Sequence, residues 1–359
     1  WLDARLVERL DDDASGADLL AQRPVGKDHG ADARQSHMSS THQAGPDTIR
    51  SVRASGDQVV VGHDPRPTGD GVQVNVVSSG ICGSDIKLVE MAFLGNVVLG
   101  HEFAGRLNDG TPVAVEPVAP DGTCDECARG NYHRCRAGMA TNIGIGIDGG
   151  MRDQTMVPER SLFELPTGLS VSDACLVEPT AVALHGLRLG GVRAGQRVGV
   201  IGGGVIGLMA AAGAKALGAE VGLAARHPAQ IAAAEALGIG PCSGEYDVMV
   251  ESAGSDSAVD DCVNMAGPGG TVVILGTHMD RLSVPGVPAL LKELNVVSSI
   301  MYNRYEGGSD FGDAINLHAN DPVLARTVIT HRFPLEKAVE AFKVAADRKS
   351  GALKVVLEP

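Results

Sequence analysis

Aromatic residues are scarce in this chain of 359 residues, of which they make up 3%. The core must therefore consist mainly of valine, isoleucine, leucine and alanine, and an aliphatic or polar binding pocket is expected. Basic residues are also in the minority, with 30 lysines and arginines against 44 acidic residues and a formal net charge of −14. Because nucleic-acid binding depends on clustered cations, this balance argues against a nucleic-acid partner.

Long apolar segments are missing as well. No run reaches the roughly 20 residues that a bilayer-spanning helix requires, and the longest candidate, 198–216, is broken by Gly202, Gly203, Gly204 and Gly207. Residues 1–20 alternate charge and lack an apolar stretch, so neither a secretory signal nor a membrane partner is expected. Three of the seven cysteines cluster at positions 124, 127 and 135. In a chain without a signal this predicts metal binding, no disulfide framework and a cytoplasmic location.

The pattern along the chain changes twice. Residues 1–37 lack strand alternation and begin with Trp1, so we expect a leader or extension outside the core, with a short helix near residues 3–10 as the alternative. Short β-type runs at 57–62, 72–77 and 111–118 predict a β-rich domain. From about Ala181, strands and helices alternate, and this predicts a parallel sheet with right-handed crossovers.

A glycine motif follows the apolar strand predicted at 197–201 and precedes a helix-like run at 208–217. A G-x-G-x-x-G motif in this context is typical of dinucleotide binding, since glycine permits the tight turn, the approach of the pyrophosphate and close helix packing. The free N–H groups at the start of the helix then face the phosphates. The candidate cofactor-binding residues of this turn are Gly202, Gly203, Gly204, Val205, Ile206 and Gly207.

The end of the next predicted strand indicates which dinucleotide is used. An NAD site usually carries an acidic residue there, bonded to the ribose 2′-OH. This strand instead ends in Ala224 and Ala225, followed by Arg226, while Glu220 lies at its start. Because a guanidinium group pairs well with phosphate, Arg226 favours NADP(H) over NAD(H). The alternative is that Arg226 is a solvated surface residue.

Two groups of potential metal ligands stand out. Cys82 in "GICGSD" and His101 and Glu102 in "GHEF" are residue types suited to a catalytic zinc ion. Glu178 in "LVEPTAVALHG" is either a fourth ligand or a partner of a zinc-bound water.

The second group has the spacing of a structural zinc site, with an Asp in the first position. It predicts a closed site, with a metal-free loop as the alternative; its members are Asp121, Cys124, Cys127 and Cys135.

Taken together, these motifs resemble the zinc-containing medium-chain dehydrogenase/reductase superfamily. The match covers nearly all of residues 49–359 and is most similar to the polyol (sorbitol-type) and threonine dehydrogenase branch. The resemblance implies an α/β fold: a GroES-like catalytic domain at 38–181 and 319–359 and a Rossmann domain with a doubly wound parallel sheet at 182–318. It also implies that Ser84 relays the substrate proton, and that the protein is a homodimer or homotetramer. Lys87 stands where many relatives have histidine.

We therefore predict a zinc-dependent enzyme that transfers a hydride between a secondary alcohol or polyol and a nicotinamide dinucleotide. One alternative is a zinc-free reductase of quinones or activated alkenes, against which the Cys82, His101 and Glu102 set argues. A second is a non-catalytic NADP(H)-binding protein, against which the same set and Ser84 argue.

Overall fold

The computed structural model describes residues 47–359, so the expectation for residues 1–37 lies outside the described part. The strands are β1 (Thr48–Ser55), β2 (Gln58–Pro65), β3 (Val72–Gly80), β4 (Glu102–Arg106), β5 (Pro112–Val115), β6 (Gln154–Val157), β7 (Leu162–Glu164), β8 (Arg197–Ile201), β9 (Glu220–Ala224), β10 (Gly240–Pro241), β11 (Tyr246–Glu251), β12 (Ala266–Ile274), β13 (Asn295–Ser298), β14 (Arg304–Tyr305), β15 (Gly308–Ser309), β16 (Ile329–Pro334) and β17 (Lys354–Glu358). The helices are α1 (Gly83–Glu90), α2 (Asp125–Ala128), α3 (Val177–Leu189), α4 (Val205–Ala216), α5 (Pro228–Ala236), α6 (Asp256–Met265), α7 (Gly286–Leu291), α8 (Asp310–Asn320), α9 (Pro322–Val328) and α10 (Ala338–Ala346).

One sheet combines strands from the first half of the chain with strands from its last segment. Its strand order is β16-β17-β3-β4-β5-β7, and β6 pairs with β3. In β3, Val74 and Val76 are buried while Gln73 and Asn75 are half-buried, which is the period of two expected for a strand with one covered face. β17 pairs antiparallel with the end of β3. The C-terminal strand therefore lies beside the strand that leads to Cys82.

A second sheet has the order β10-β9-β8-β11-β12-β13, and its pairings are parallel. The chain runs outward from β8 to β10 and then returns to β11 on the other side. This reversal between β8 and β11 is the topological switch point, beside which doubly wound sheets bind their ligands.

Both faces of this second sheet are covered. Val248 and Val250 pack in one apolar cluster with Leu208 of α4, whereas Met249 packs in another with Val259 of α6. Near-continuous apolar strands are characteristic of parallel sheets that are buried on both sides.

Local patterns predicted these elements closely. The strand expected at 197–201 coincides with β8. The helix expected at 208–217 begins three residues earlier, because Gly204 is its N-cap residue and Val205 already has helical backbone. Within residues 47–359, no helix has the length and apolar character needed to cross a bilayer.

Candidate active site

The first group of potential ligands forms where β3 and β4 meet. β3 ends at Gly80, and Cys82 then forms the N-cap of α1. The antiparallel register pairs Gly80 with Glu102, the first residue of β4. As a result, the ligand atoms of Cys82, His101 and Glu102 all lie within 4.8 Å of one another.

Asp85, which the sequence analysis did not single out, supports this group from α1. Its carboxylate accepts a hydrogen bond from the Cys82 backbone N–H at 3.0 Å, and its other oxygen lies 3.2 Å from His101 Nδ1. Burial disfavours a charge on His101, but the Asp85 carboxylate outweighs it and raises the pKa of His101 well above its ordinary value. The Ser84 hydroxyl lies 3.4 Å from His101 Nε2. A capping-type spacing of three residues between Cys82 and Asp85 is the signal that would have indicated this role.

Lys354, the first residue of β17, was also not assigned from the sequence. Its ammonium group donates to Glu102 Oε2 at 2.5 Å and to the Ile81 carbonyl at 3.1 Å. Both side chains are buried, with 3% and 1% of their surface exposed. The site leaves no room for a larger residue at position 80, since a Cβ atom on Gly80 would lie 2.2 Å from Glu102 Oε2. A lysine flanked by apolar residues in "ALKVVLEP" is the sequence signal for a buried, paired charge.

Glu178 lies in the first turn of α3 and is buried. Its carboxylate is not part of the group of three whose ligand atoms are within 4.8 Å of one another. Burial raises the pKa of Glu178 to about 7, and the charge of His101 opposes that shift. The Glu178 carboxylate therefore interacts electrostatically with His101 but is not one of the three clustered ligands.

The second group of potential ligands forms a lobe at residues 121–135. The ligand atoms of Asp121, Cys124, Cys127 and Cys135 also lie within 4.8 Å of one another. The Cys124 sulfur is 3.5 Å from that of Cys127 and 4.0 Å from that of Cys135. Sulfurs bound tetrahedrally at about 2.3 Å from zinc are separated by about 3.8 Å, so the donor set fits this ion.

Two thiols of the lobe differ in acidity. A backbone N–H from Arg136 is the main factor that lowers the pKa of Cys124 to about 7, whereas desolvation raises that of Cys127 to about 11. Thiolate is the form that binds metal.

The glycine turn after β8 allows a ligand to approach the backbone closely. Gly202 has φ +117°, a conformation that side chains other than glycine rarely adopt. A Cβ atom on Gly207 would lie 1.9 Å from the Gly202 carbonyl oxygen, and one on Gly203 would lie 2.7 Å from Ala225 and Gln230. A Cβ atom on Gly204 would meet no atom of the described residues within 4 Å, which leaves space before α4 for a pyrophosphate group.

The far side of this turn contains Arg226, which is exposed just after β9. Its guanidinium group donates to the Ser257 hydroxyl at 3.2 Å. On the near side, the Ser252 hydroxyl donates to the Ile201 and Gly202 carbonyl oxygens, both at 3.1 Å, and so ties β11 to the turn. Ser252 was not identified from the sequence.

Comparison with known proteins agrees with this architecture. The family described as "Alcohol dehydrogenase GroES-like domain" matches residues 68–167, and "Zinc-binding dehydrogenase" matches residues 205–320. Sorbitol dehydrogenase 2 of Saccharomyces cerevisiae is 31% identical, covering 76% of this chain and 86% of that protein. D-xylulose reductase A of Aspergillus oryzae is 30% identical, covering 76% and 85%.

Among solved structures, a zinc-binding dehydrogenase of Sinorhizobium meliloti 1021 bound to NADP superposes with a TM-score of 0.78 and 29% identity. The superposition covers 87% of this chain and 99% of that one. The chain therefore belongs to the zinc-binding dehydrogenase family, in its polyol dehydrogenase branch. The predicted α/β fold class, with a GroES-like part and a Rossmann part, is confirmed.

Proposed function

We propose that this dehydrogenase oxidises a secondary alcohol of the polyol class, reversibly, with transfer of a hydride to a nicotinamide dinucleotide. The observation that carries the proposal is the buried meeting of the Cys82, His101 and Glu102 ligand atoms within 4.8 Å of one another. A thiolate, an imidazole and a carboxylate leave one position of a tetrahedral ion open for substrate. The names of the similar sorbitol dehydrogenase and xylulose reductase support the polyol class.

We assign the three residues as ligands of a catalytic zinc ion, with Glu178 as a fourth or outer ligand. When bound, this ion polarises the substrate hydroxyl and lowers its pKa. Ser84, whose hydroxyl lies 3.4 Å from His101 Nε2, takes the substrate proton and passes it towards solvent. Asp85 and Lys354 hold His101 and Glu102 in place. In the lobe, Asp121, Cys124, Cys127 and Cys135 would hold a structural zinc ion.

We propose NADP(H) as the preferred cofactor, bound by the turn at 202–207 and by Arg226. An exposed guanidinium group and the absence of an acidic residue at the end of β9 support this choice. R226A is expected to raise the KM for NADP by about tenfold, as for loss of a charged hydrogen bond, and to leave the KM for NAD unchanged. R193A removes another exposed arginine and serves as the control. Equal losses with both cofactors would contradict the assignment.

We further propose that the protein is a homodimer or homotetramer that associates through β13 and α7. β13 is the edge strand of the parallel sheet, and Val287, Leu290 and Leu291 of the adjacent α7 are 68–78% exposed. An unpaired edge beside exposed apolar side chains is a typical pairing surface for a second copy. The double variant L290K/L291K is expected to elute as a monomer in size-exclusion chromatography with light scattering. An unchanged mass would contradict this interface.

We also propose a cellular compartment and the limits of the two domains. Free thiols at all seven cysteines support a reducing, cytoplasmic compartment. We propose the domain limits of 38–181 with 319–359 and of 182–318, since the strands of one sheet lie within 72–164 and 329–358 and those of the other within 197–298.

The activity itself is tested with a panel of polyols, amino alcohols and monohydroxyl alcohols, each run with NAD and with NADP. We expect the highest kcat/KM for a polyol with NADP. Absence of turnover with every alcohol, for protein that contains zinc, would contradict the proposed function.

A further inference from the structure

A buried carboxylate–imidazole pair lies at the carboxyl edge of the parallel sheet, apart from both metal-ligand groups. Glu251 is the last residue of β11, and His278 follows the end of β12. The His278 Nε2 atom is 3.2 Å from Glu251 Oε2, and the two side chains are 9% and 0% exposed.

Glu251 links the two loops that leave these strands. Its Oε1 atom accepts hydrogen bonds from the backbone N–H groups of Ala253 and Gly254, at 2.8 and 2.7 Å. Its Oε2 atom faces His278. The loops are closely fitted around the carboxylate, because a Cβ atom on Gly276 would lie 2.4 Å from Glu251 Oε2. Each oxygen therefore has a partner, and the pair is held rigidly.

This arrangement determines the tautomer of His278. A carboxylate only accepts hydrogen bonds, so Nε2 carries the proton that it donates to Glu251. In the neutral ring, Nδ1 is then an acceptor. Nδ1 has no partner within residues 47–359, and it is not among the buried unpaired atoms of that region. It is thus an oriented acceptor that remains open to a ligand.

The topology indicates which ligand reaches this atom. A dinucleotide lies along the carboxyl edge of such a sheet, across the switch point between β8 and β11. The glycine turn and Arg226 are on the β8–β9 side, where the adenosine half is expected. The nicotinamide half then lies along β11 and β12, beside His278. Its hydrogen-bond donors are the ribose hydroxyl groups and the carboxamide N–H.

We propose that His278 is a cofactor-positioning residue, whose Nδ1 accepts a hydrogen bond from the nicotinamide half of the dinucleotide. The inference rests on the proposed function only for the identity of the cofactor. Glu251 acts through His278 by setting its tautomer and ring orientation. A fixed contact of this kind restricts the position and orientation of the nicotinamide ring relative to the substrate. It thereby lowers the entropy that must be lost to reach the geometry for hydride transfer.

The test measures binding by calorimetry on the zinc-loaded full chain, so it does not depend on turnover. The ligands are NADP⁺, NAD⁺, ADP-ribose and ADP. H278A is expected to bind the complete dinucleotides about tenfold more weakly, as for loss of one buried hydrogen bond, and to bind ADP normally. A loss that extends to ADP-ribose assigns the donor to the ribose, and a loss confined to the dinucleotides assigns it to the carboxamide.

E251Q provides a second, sharper variant. The glutamine oxygen can still accept from Ala253 and Gly254, while its NH₂ group donates towards His278 and forces the opposite tautomer. Nδ1 then becomes a donor. E251Q should therefore show the same ligand profile as H278A if the partner is the carboxamide N–H, whereas a ribose hydroxyl, which can also accept, should keep most of its affinity. H331A, which removes a histidine bonded to Thr330 on β16 of the other sheet, is the control.

Two outcomes would overturn the inference. One is wild-type affinity of H278A for all four ligands. The other is an equal loss for ADP and the dinucleotides, because this would mean that the histidine acts on the loops in general. Failure of the proposed function is distinguishable, since it would appear as zinc-loaded wild-type enzyme that turns over no alcohol.

Discussion

The two groups of candidate zinc ligands are assembled in different ways. The lobe takes its four members from residues 121–135, around the short helix α2. Cys82, by contrast, meets His101 and Glu102 only because β3 pairs with β4. The lobe can close around an ion as a local loop, whereas the buried group requires the sheet to form first.

The surroundings of the two groups also differ, since one group is buried and the other lies among exposed ion pairs. Glu102 and His101 are 1% and 6% exposed and are contacted by Lys354 and Asp85. Near the lobe, exposed arginines pair instead with acidic residues of α2, as Arg136 does with Asp125. Exposed pairs of this kind contribute little to stability. The buried group is therefore positioned by the protein, and we expect the lobe to depend on its proposed metal ion for order.

The largest effect is expected from C82A, which removes the thiolate from the buried group. Loss of Lewis-acid polarisation should lower kcat by about 1000-fold or more, corresponding to several kcal/mol. Calorimetric binding of the dinucleotide should persist, since the glycine turn belongs to the other sheet. Elemental analysis should find one zinc ion fewer per chain. Wild-type turnover by C82A would contradict the assigned role of the site.

K354M separates positioning from metal binding within the buried group. Removing one partner of a buried ion pair leaves Glu102 uncompensated, so the unfolding free energy of zinc-free protein should fall by about 3 kcal/mol. Zinc should restore part of this loss because its charge replaces that of Lys354. Urea unfolding with EDTA and with zinc measures both values. K337M is the control, since Lys337 and Glu340 are each 59% exposed. Equal losses with and without zinc would show that Lys354 acts independently of the site.

These contrasts explain how much could be predicted from the sequence. Strand β8 and the glycine turn that follows it were predicted from residues close together in the chain, although the helix begins at Val205 and so includes the second half of 202–207. The spacing within 121–135 likewise indicated a group that the fold brings together.

Long-range partners were not predicted. Lys354 is separated from Glu102 by 252 residues, and periodicity does not encode which distant cation neutralises a buried carboxylate. The Glu251 and His278 pair escaped notice for a similar reason, because each residue alone has the character of an ordinary strand end or loop.

C127S tests whether the lobe contributes to stability and not to catalysis. If free zinc stands at 100 times its Kd, loss of this site should lower the unfolding free energy by about 2.7 kcal/mol. Turnover per folded molecule should change little, since none of the lobe residues belongs to the buried group. C242S is the matched control, as this half-buried thiol contacts the Val200 carbonyl and lies in neither group. A fall in kcat as large as that of C82A would contradict the division of roles.

The smallest effect concerns acid, which acts on a buried histidine outside both groups of candidate ligands. The buried His318 ring donates through Nε2 to Thr180, at 2.8 Å, since the Thr180 hydroxyl itself donates to the Leu176 carbonyl. Its Nδ1 is buried and has no hydrogen-bond partner among residues 47–359. Burial lowers the pKa of His318 from 6.5 to about 4.

At His318 the unfolded chain therefore binds a proton more readily than the folded one. The contribution of neutral His318 to the unfolding free energy is fully present above pH 6.5 and is lost as the pH falls towards 4. Between pH 6.5 and 5.5 the loss should be about 1 kcal/mol. H318Q keeps an amide donor for Thr180 but does not titrate, so urea unfolding of this variant in EDTA should vary less with pH. An equally steep pH dependence in H318Q would assign the acid sensitivity to other groups.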